Sequence, residues 1–134
     1  MFGNLVMKKI FVCCPVFGRA EENVRNSIDT MKKYAELMLG DVCEVVNNLL
    51  DYNKEISENE DCLLDIDSFA LNWVGDNVKQ LANADIFVGI TTDASIWCSC
   101  LRDIAHRFSV PVYLMDFDAC DAFSDVNRRN NVMY

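Results

Sequence analysis

The sequence predicts an α/β domain built on a parallel sheet of four or five strands, with helices on both faces. Two observations carry that expectation. Short runs rich in β-branched and aromatic residues alternate with longer stretches whose apolar residues recur at helical spacing. Such alternation closes into parallel units with right-handed crossovers. The run Lys9–Cys14 (KIFVCC) is also apolar at consecutive positions, so both faces of the strand it forms must be covered, as in the centre of a parallel sheet.

Taken in order, Lys9–Cys14 is the first strand, stopped by Pro15 and Gly18. From Glu21 to Leu39, residues Val24, Ile28, Met31, Ala35 and Met38 mark a helix; Glu21 and Glu22 suit its first turn and Gly40 its C-terminal cap. Val42–Val46 (VCEVV) is the second strand. Asn47–Asp61 is polar and acidic and reads as a loop with at most one short helical turn. Helical spacing returns over Asp65–Leu81 through Phe69, Trp73 and Leu81. Asp85–Ile90 (DIFVGI) is the third strand, with Asp85 tethering its start. Ile96, Cys100, Leu101, Ile104, Ala105 and Phe108 mark a further helix, and Val110–Met115 (VPVYLM) a fourth strand whose proline belongs near the strand start or an edge. The pattern is Rossmann-like, with one domain over 1–134, a core over about 8–115 and a C-terminal extension from 116 to 134.

Composition excludes several classes of function. The 134 residues support one hydrophobic core. A formal net charge of -9 and a pI near 4.4 repel the phosphate backbone, so no DNA or RNA polymer is expected as partner. No apolar run reaches the roughly 18–20 residues of a membrane span, and the opening MFGNLVMKKIFV lacks signal-peptide character. A cytoplasmic protein is expected. Its 7 cysteines show no paired spacing and are expected to stay reduced. Cys98 and Cys100 form a CxC, but the single histidine leaves no second pair of zinc ligands, so no metal is expected. Neither GxGxxG nor a P-loop lysine is present, and no cofactor is expected.

In doubly wound sheets, ligands bind beyond the carboxyl ends of the strands. That rule selects Cys14–Glu22, Asn47–Asn53 and Ile90–Asp103. In the first, Pro15 and Gly18 make a tight loop at a helix start, Phe17 can lie against a flat ring, and Arg19 can clamp an anion. In the last, Trp97 and small Ser99 open the helix, with Asp103 further along and His106 three residues beyond it. Each feature also has a plain structural reading: a strand-to-helix turn, a helix-dipole carboxylate, a solvated histidine.

In this order and spacing, the KIFV strand ending in proline, the Ala-Asp-Ile-Phe-Val strand, the small-residue helix start running into Asp-Ile-Ala and the following Val-Pro-Val-Tyr resemble the nucleoside 2-deoxyribosyltransferase superfamily, including its short phage and bacterial relatives. The resemblance covers about residues 8 to 115. It implies N-glycosidic chemistry on a nucleoside or nucleotide, in which a carboxylate attacks the anomeric carbon and a second step releases the sugar. The position matching the family's nucleophilic glutamate is Asp103, one methylene shorter; the family's aspartate before the third strand falls on Asn77, beside Asp76. Asn77 can hydrogen-bond a base or ribose but supplies no negative charge.

The chain is therefore expected to transfer or hydrolyse an N-glycosidic bond through Asp103, with Pro15, Phe17, Gly18, Arg19, Asn77, Trp97 and Ser99 binding the substrate. The alternatives are a non-catalytic nucleotide-binding or sequestering protein using the same pocket, and an interaction protein using the fold alone. An apolar content of 51% in so small a chain points to a homodimer or larger homo-oligomer. Phe69, Trp73, Trp97 and Phe123 are the candidates for a surface patch; the resemblance also implies that a neighbour's C-terminal residues complete each pocket, and Asn130, Asn131 and Tyr134 are the candidates for that role.

Overall fold

The structure, a computed structural model, describes residues 7–16, 19–58, 66–91 and 96–116, with side chains described from Trp73 and Trp97 onward in the two helices that open at 66 and 96. Its elements run β1 (Lys8–Val12), α1 (Glu21–Leu39), β2 (Cys43–Val45), α2 (Leu49–Glu58), α3 (Ile66–Ala82), β3 (Ile86–Ile90), α4 (Ile96–Arg107) and β4 (Val112–Met115). The strands form one sheet of order β2-β1-β3-β4, parallel throughout. Ile10 lies opposite Ile86 and Val12 opposite Val88. The expected α/β domain with a parallel sheet is the one observed.

The period of two sends alternate residues of each strand to opposite faces. Ile10 and Val12 of β1 and Cys14 just beyond it, with Ile86, Val88, Ile90 and Met115, pack with Met31 and Ala35 of α1 and with Leu49, Tyr52 and Ile56 of α2. Phe11, Cys13 and Phe87 pack on the other side with Leu81 of α3 and with Leu101 and Ala105 of α4. Both faces of β1 and β3 are covered, which is why those strands read as unbroken apolar runs. Asp85 tethers the first strand to the third: its carboxylate accepts from the Lys9 N–H at 2.8 Å while its own N–H donates to the Lys9 carbonyl at 2.7 Å. Gly40 ends α1 at φ 74, donating to the Glu36 carbonyl; a side chain at that φ is strained. Pro111 precedes β4, an edge strand, where its missing N–H breaks no ladder bond.

Two expectations are corrected. Within the expected loop Asn47–Asp61, Leu49–Glu58 is a helix that buries Leu49, Tyr52, Asn53 and Ile56 against α1 and the sheet. Those positions fall on one face at helical spacing, and the acidic residues that suggest a loop lie on the other. Trp73, a candidate for a surface patch, is buried and Trp97 is partly buried; the side chains of Phe69 and Phe123 and the tail lie outside the described residues. The exposed large apolar side chains include Tyr34, Leu37 and Met38 of α1 and the neighbouring Val42.

Candidate functional site

Beyond the carboxyl ends of β1 and β2, side-chain amides take over from the ladder. Asn47 receives the Val12 N–H on Oδ1 at 2.9 Å and donates Nδ2 to the Val12 carbonyl at 2.7 Å. Asn53 of α2 donates Nδ2 to the carbonyls of Val16 and Arg19, 2.9 Å each, and so holds both ends of the turn between strand and helix. Arg19, 8% exposed, folds back under that turn. Its Nη1 donates to the Pro15 carbonyl at 2.9 Å, and Nη2 donates to Ser27 Oγ at 2.7 Å and the Asn23 carbonyl at 3.3 Å. Arg19 thus acts as a clamp on its own loop, a use the expected anion-binding role did not include. Pro15 is buried beside it; Phe17 and Gly18 lie outside the described residues.

The third amide is Asn77, buried to 1% exposure within α3. Its Nδ2 donates to the Trp73 carbonyl at 2.8 Å and to Tyr52 Oη at 3.4 Å, which fixes the amide's orientation because a carbonyl only accepts. Asn77 Oδ1 has no hydrogen-bond partner. Above it sits an aromatic cluster. Tyr52 stacks on Trp73 with ring centroids 4.3 Å apart and planes 15° apart, and Trp97 of α4 meets Trp73 edge-on at 6.1 Å and 76°. Trp73 Nε1 donates to Glu55 at 3.0 Å. Burial, and then the nearby Asp76 carboxylate, push the Tyr52 phenol pKa above its ordinary value. One turn beyond Asn77, Gln80 Oε1 is likewise buried without a partner, while its amide nitrogen donates to Asn48 at 3.1 Å.

The site residues expected from the sequence divide accordingly. Asn77 and Trp97 belong to one cluster, and Arg19 and Pro15 to the adjoining loop. Asp103 stands apart. The buried face of α4 carries Cys98, Leu101 and Ala105; Asp103, two residues from each of the last two, lies about 200° round the helix from them and is exposed. It makes no hydrogen bond or ion pair among the described residues. His106 is exposed as well, and Ser99 is half-buried. Among the described residues no group of three or more histidine, cysteine, aspartate or glutamate side chains gathers as metal ligands, and no helix is long and apolar enough to cross a membrane.

Sequence reasoning selected the segment Asn47–Asn53 by the strand-end rule but no residue within it. The spacing of Leu49, Tyr52, Asn53 and Ile56 was the available signal. The expectation that every thiol stays reduced is also corrected: Cys13 and Cys98 form a disulfide, with Cα atoms 6.1 Å apart and a separation of 85 residues in sequence. The β1–β3 pairing and the packing of α4 bring them together, and no local spacing announces it.

No family model, curated protein or solved structure matches this chain. The resemblance to nucleoside 2-deoxyribosyltransferases rests on its own motifs.

Proposed function

We propose that the domain binds a nucleoside or nucleotide at the carboxyl ends of β1 and β2, in the reading that takes the fold's pocket without its catalyst. The observation that carries this is the unpartnered Oδ1 of Asn77 beneath the Tyr52–Trp73–Trp97 cluster. A buried acceptor left unmet costs about 1–3 kcal/mol, and a base amino group or a ribose hydroxyl supplies the donor it lacks. The aromatic rings supply stacking for a planar base, with half-buried Trp97 as the member nearest solvent. The setting agrees with the rule that places ligands at strand carboxyl ends in doubly wound sheets.

Glycosyl transfer is the second reading. Its support is that the Asp103 carboxylate is exposed and engaged by no described partner, so its oxygens are open to attack an anomeric carbon. Against it, Asp103 faces away from the core side of α4, and the family's aspartate is replaced by Asn77, which carries no charge. These facts favour binding over transfer.

Thermal unfolding of the full chain against a panel of nucleosides and their 5′-phosphates, with chromatography for free base, tests both. Binding predicts a raised Tm for one or more members and no base released; a ligand at 100-fold over its Kd adds about 2.7 kcal/mol. No shift with any member, and no base, would overturn the binding reading. Base release that disappears in Asp103→Asn would establish the transfer reading in its place. The expected homo-oligomer is part of the same proposal, and light scattering across micromolar concentrations measures it.

A further inference from the structure

We infer that Cys13 and Cys98 form a reversible redox lock that clamps the first turn of α4, and with it Trp97, to the end of β1. The inference does not depend on the nature of any ligand.

Three features support it. The bond joins two segments that secondary structure holds in place independently. Cys13 is hydrogen-bonded into the sheet, its N–H donating to Val88 at 2.8 Å, and Cys98 lies in the first turn of a 12-residue helix. The bond therefore joins a sheet and a helix whose own backbone hydrogen bonds do not depend on it. Second, both sulfur-bearing residues line one small cleft, together with Gly89 and Arg102. Gly89 leaves space in that cleft: a Cβ there would lie 3.0 Å from the Phe87 ring and 3.1 Å from Leu114. Third, Cys98 directly follows Trp97, which rests edge-on against Trp73. Making or breaking the bond therefore acts on the tryptophan pair.

The chemistry needs a dithiol reductant. One of its thiolates attacks the sulfur of Cys98, the more exposed of the two. The protein S–S bond breaks, and Cys13 leaves with the electron pair and takes a proton from solvent. The reductant's second thiolate then attacks its own sulfur in the mixed disulfide and expels Cys98 as a thiolate at the helix N-terminus. The protein gains two electrons and two thiols, and the reductant ends as a disulfide. Oxidation reverses the sequence against a small-molecule disulfide.

The test uses the full chain poised in mixtures of oxidised and reduced dithiothreitol. Alkylation under denaturing conditions, read by mass, counts thiols; tryptophan emission follows the 73–97 pair; far-ultraviolet circular dichroism follows the fold. The expected result is two fewer alkylated cysteines in the oxidised protein and an emission change with the same midpoint. Both should reverse on reduction while the circular dichroism is retained. Cys98→Ser and Cys13→Ser should each abolish both changes, Cys100→Ser should leave both intact, and Trp97→Phe should remove the emission change but keep the thiol change. Equal alkylation in both poises would overturn the bond. Loss of circular dichroism on reduction would make it a structural staple and overturn the lock. Emission that ignores the thiol count would overturn the coupling to Trp97. The wild-type titration decides these outcomes even if a serine variant fails to fold.

Discussion

Asn47 continues the parallel ladder past its last backbone pair by bonding both the N–H and the C=O of Val12, at 2.9 and 2.7 Å. Val12 is fully buried, so no water replaces these bonds. Each buried backbone group left unmet costs about 1–3 kcal/mol. Asn47→Ala is therefore expected to lower stability by about 2–4 kcal/mol, measured by urea denaturation. Asn47→Asp restores only the acceptor for the Val12 N–H and sets a carboxylate against the Val12 carbonyl, so it should be no better.

Arg19 separates two accounts of the first loop. As a clamp, its planar fork reaches Pro15, Asn23 and Ser27 together, and a lysine cannot reproduce that geometry. Arg19→Lys should then lose about 1.5–3 kcal/mol, the range for hydrogen bonds to a charged donor, whatever ligand is present. Were Arg19 chiefly an anion site, the same variant would hold its stability and lose preference for the 5′-phosphate over the nucleoside. Denaturation and the thermal-shift panel, run on one preparation, tell these apart.

Asn77 sets stability against binding. Its Oδ1 is buried and unpartnered in the free protein, so an apolar side chain of similar shape removes an unmet acceptor along with two donor bonds. Asn77→Leu is expected to stay within about 1 kcal/mol of the parent stability, while the Tm increment given by nucleoside disappears. A variant that binds as the parent does would remove Asn77 from the site.

Tyr52 gives a pH signature. Burial, and then Asp76, raise its pKa in the folded state above the ordinary value of 10.0. The neutral phenol is thus favoured by folding. This contribution is fully present below pH 10 and is lost as pH rises through the folded-state value. The tyrosinate absorbance of Tyr52 should appear later than in Tyr52→Phe difference spectra of the unfolded chain. Stability should fall with alkaline pH less steeply in Tyr52→Phe than in the parent.

The order of strands and helices was legible from residue patterns alone, because each depends on local periodicity. Ile10–Cys14 and Ile86–Ile90 are unbroken apolar runs because both faces of a central parallel strand are covered. Val24, Met31 and Ala35 recur at helical spacing because one face of α1 meets the sheet. Gly40 and Asp85 announced a helix cap and a strand tether through conformational and hydrogen-bonding demands peculiar to those residue types. The segment Leu49–Glu58 was less legible: its buried face is narrow, and the acidic residues between its apolar positions carry the composition of a loop.

The site was decided at the tertiary level. Nothing near Arg19 in sequence reveals that its guanidinium turns inward onto Ser27, and nothing near Asn77 reveals its bond with Tyr52, a partner that reaches it only when α2 packs beside α3. Cys13 and Cys98 stand 85 residues apart and meet because β1 pairs with β3 and α4 returns over that pair. Local spacing determines which face of an element is buried. What that face touches depends on contacts between distant segments, and these exist only once the sheet has closed.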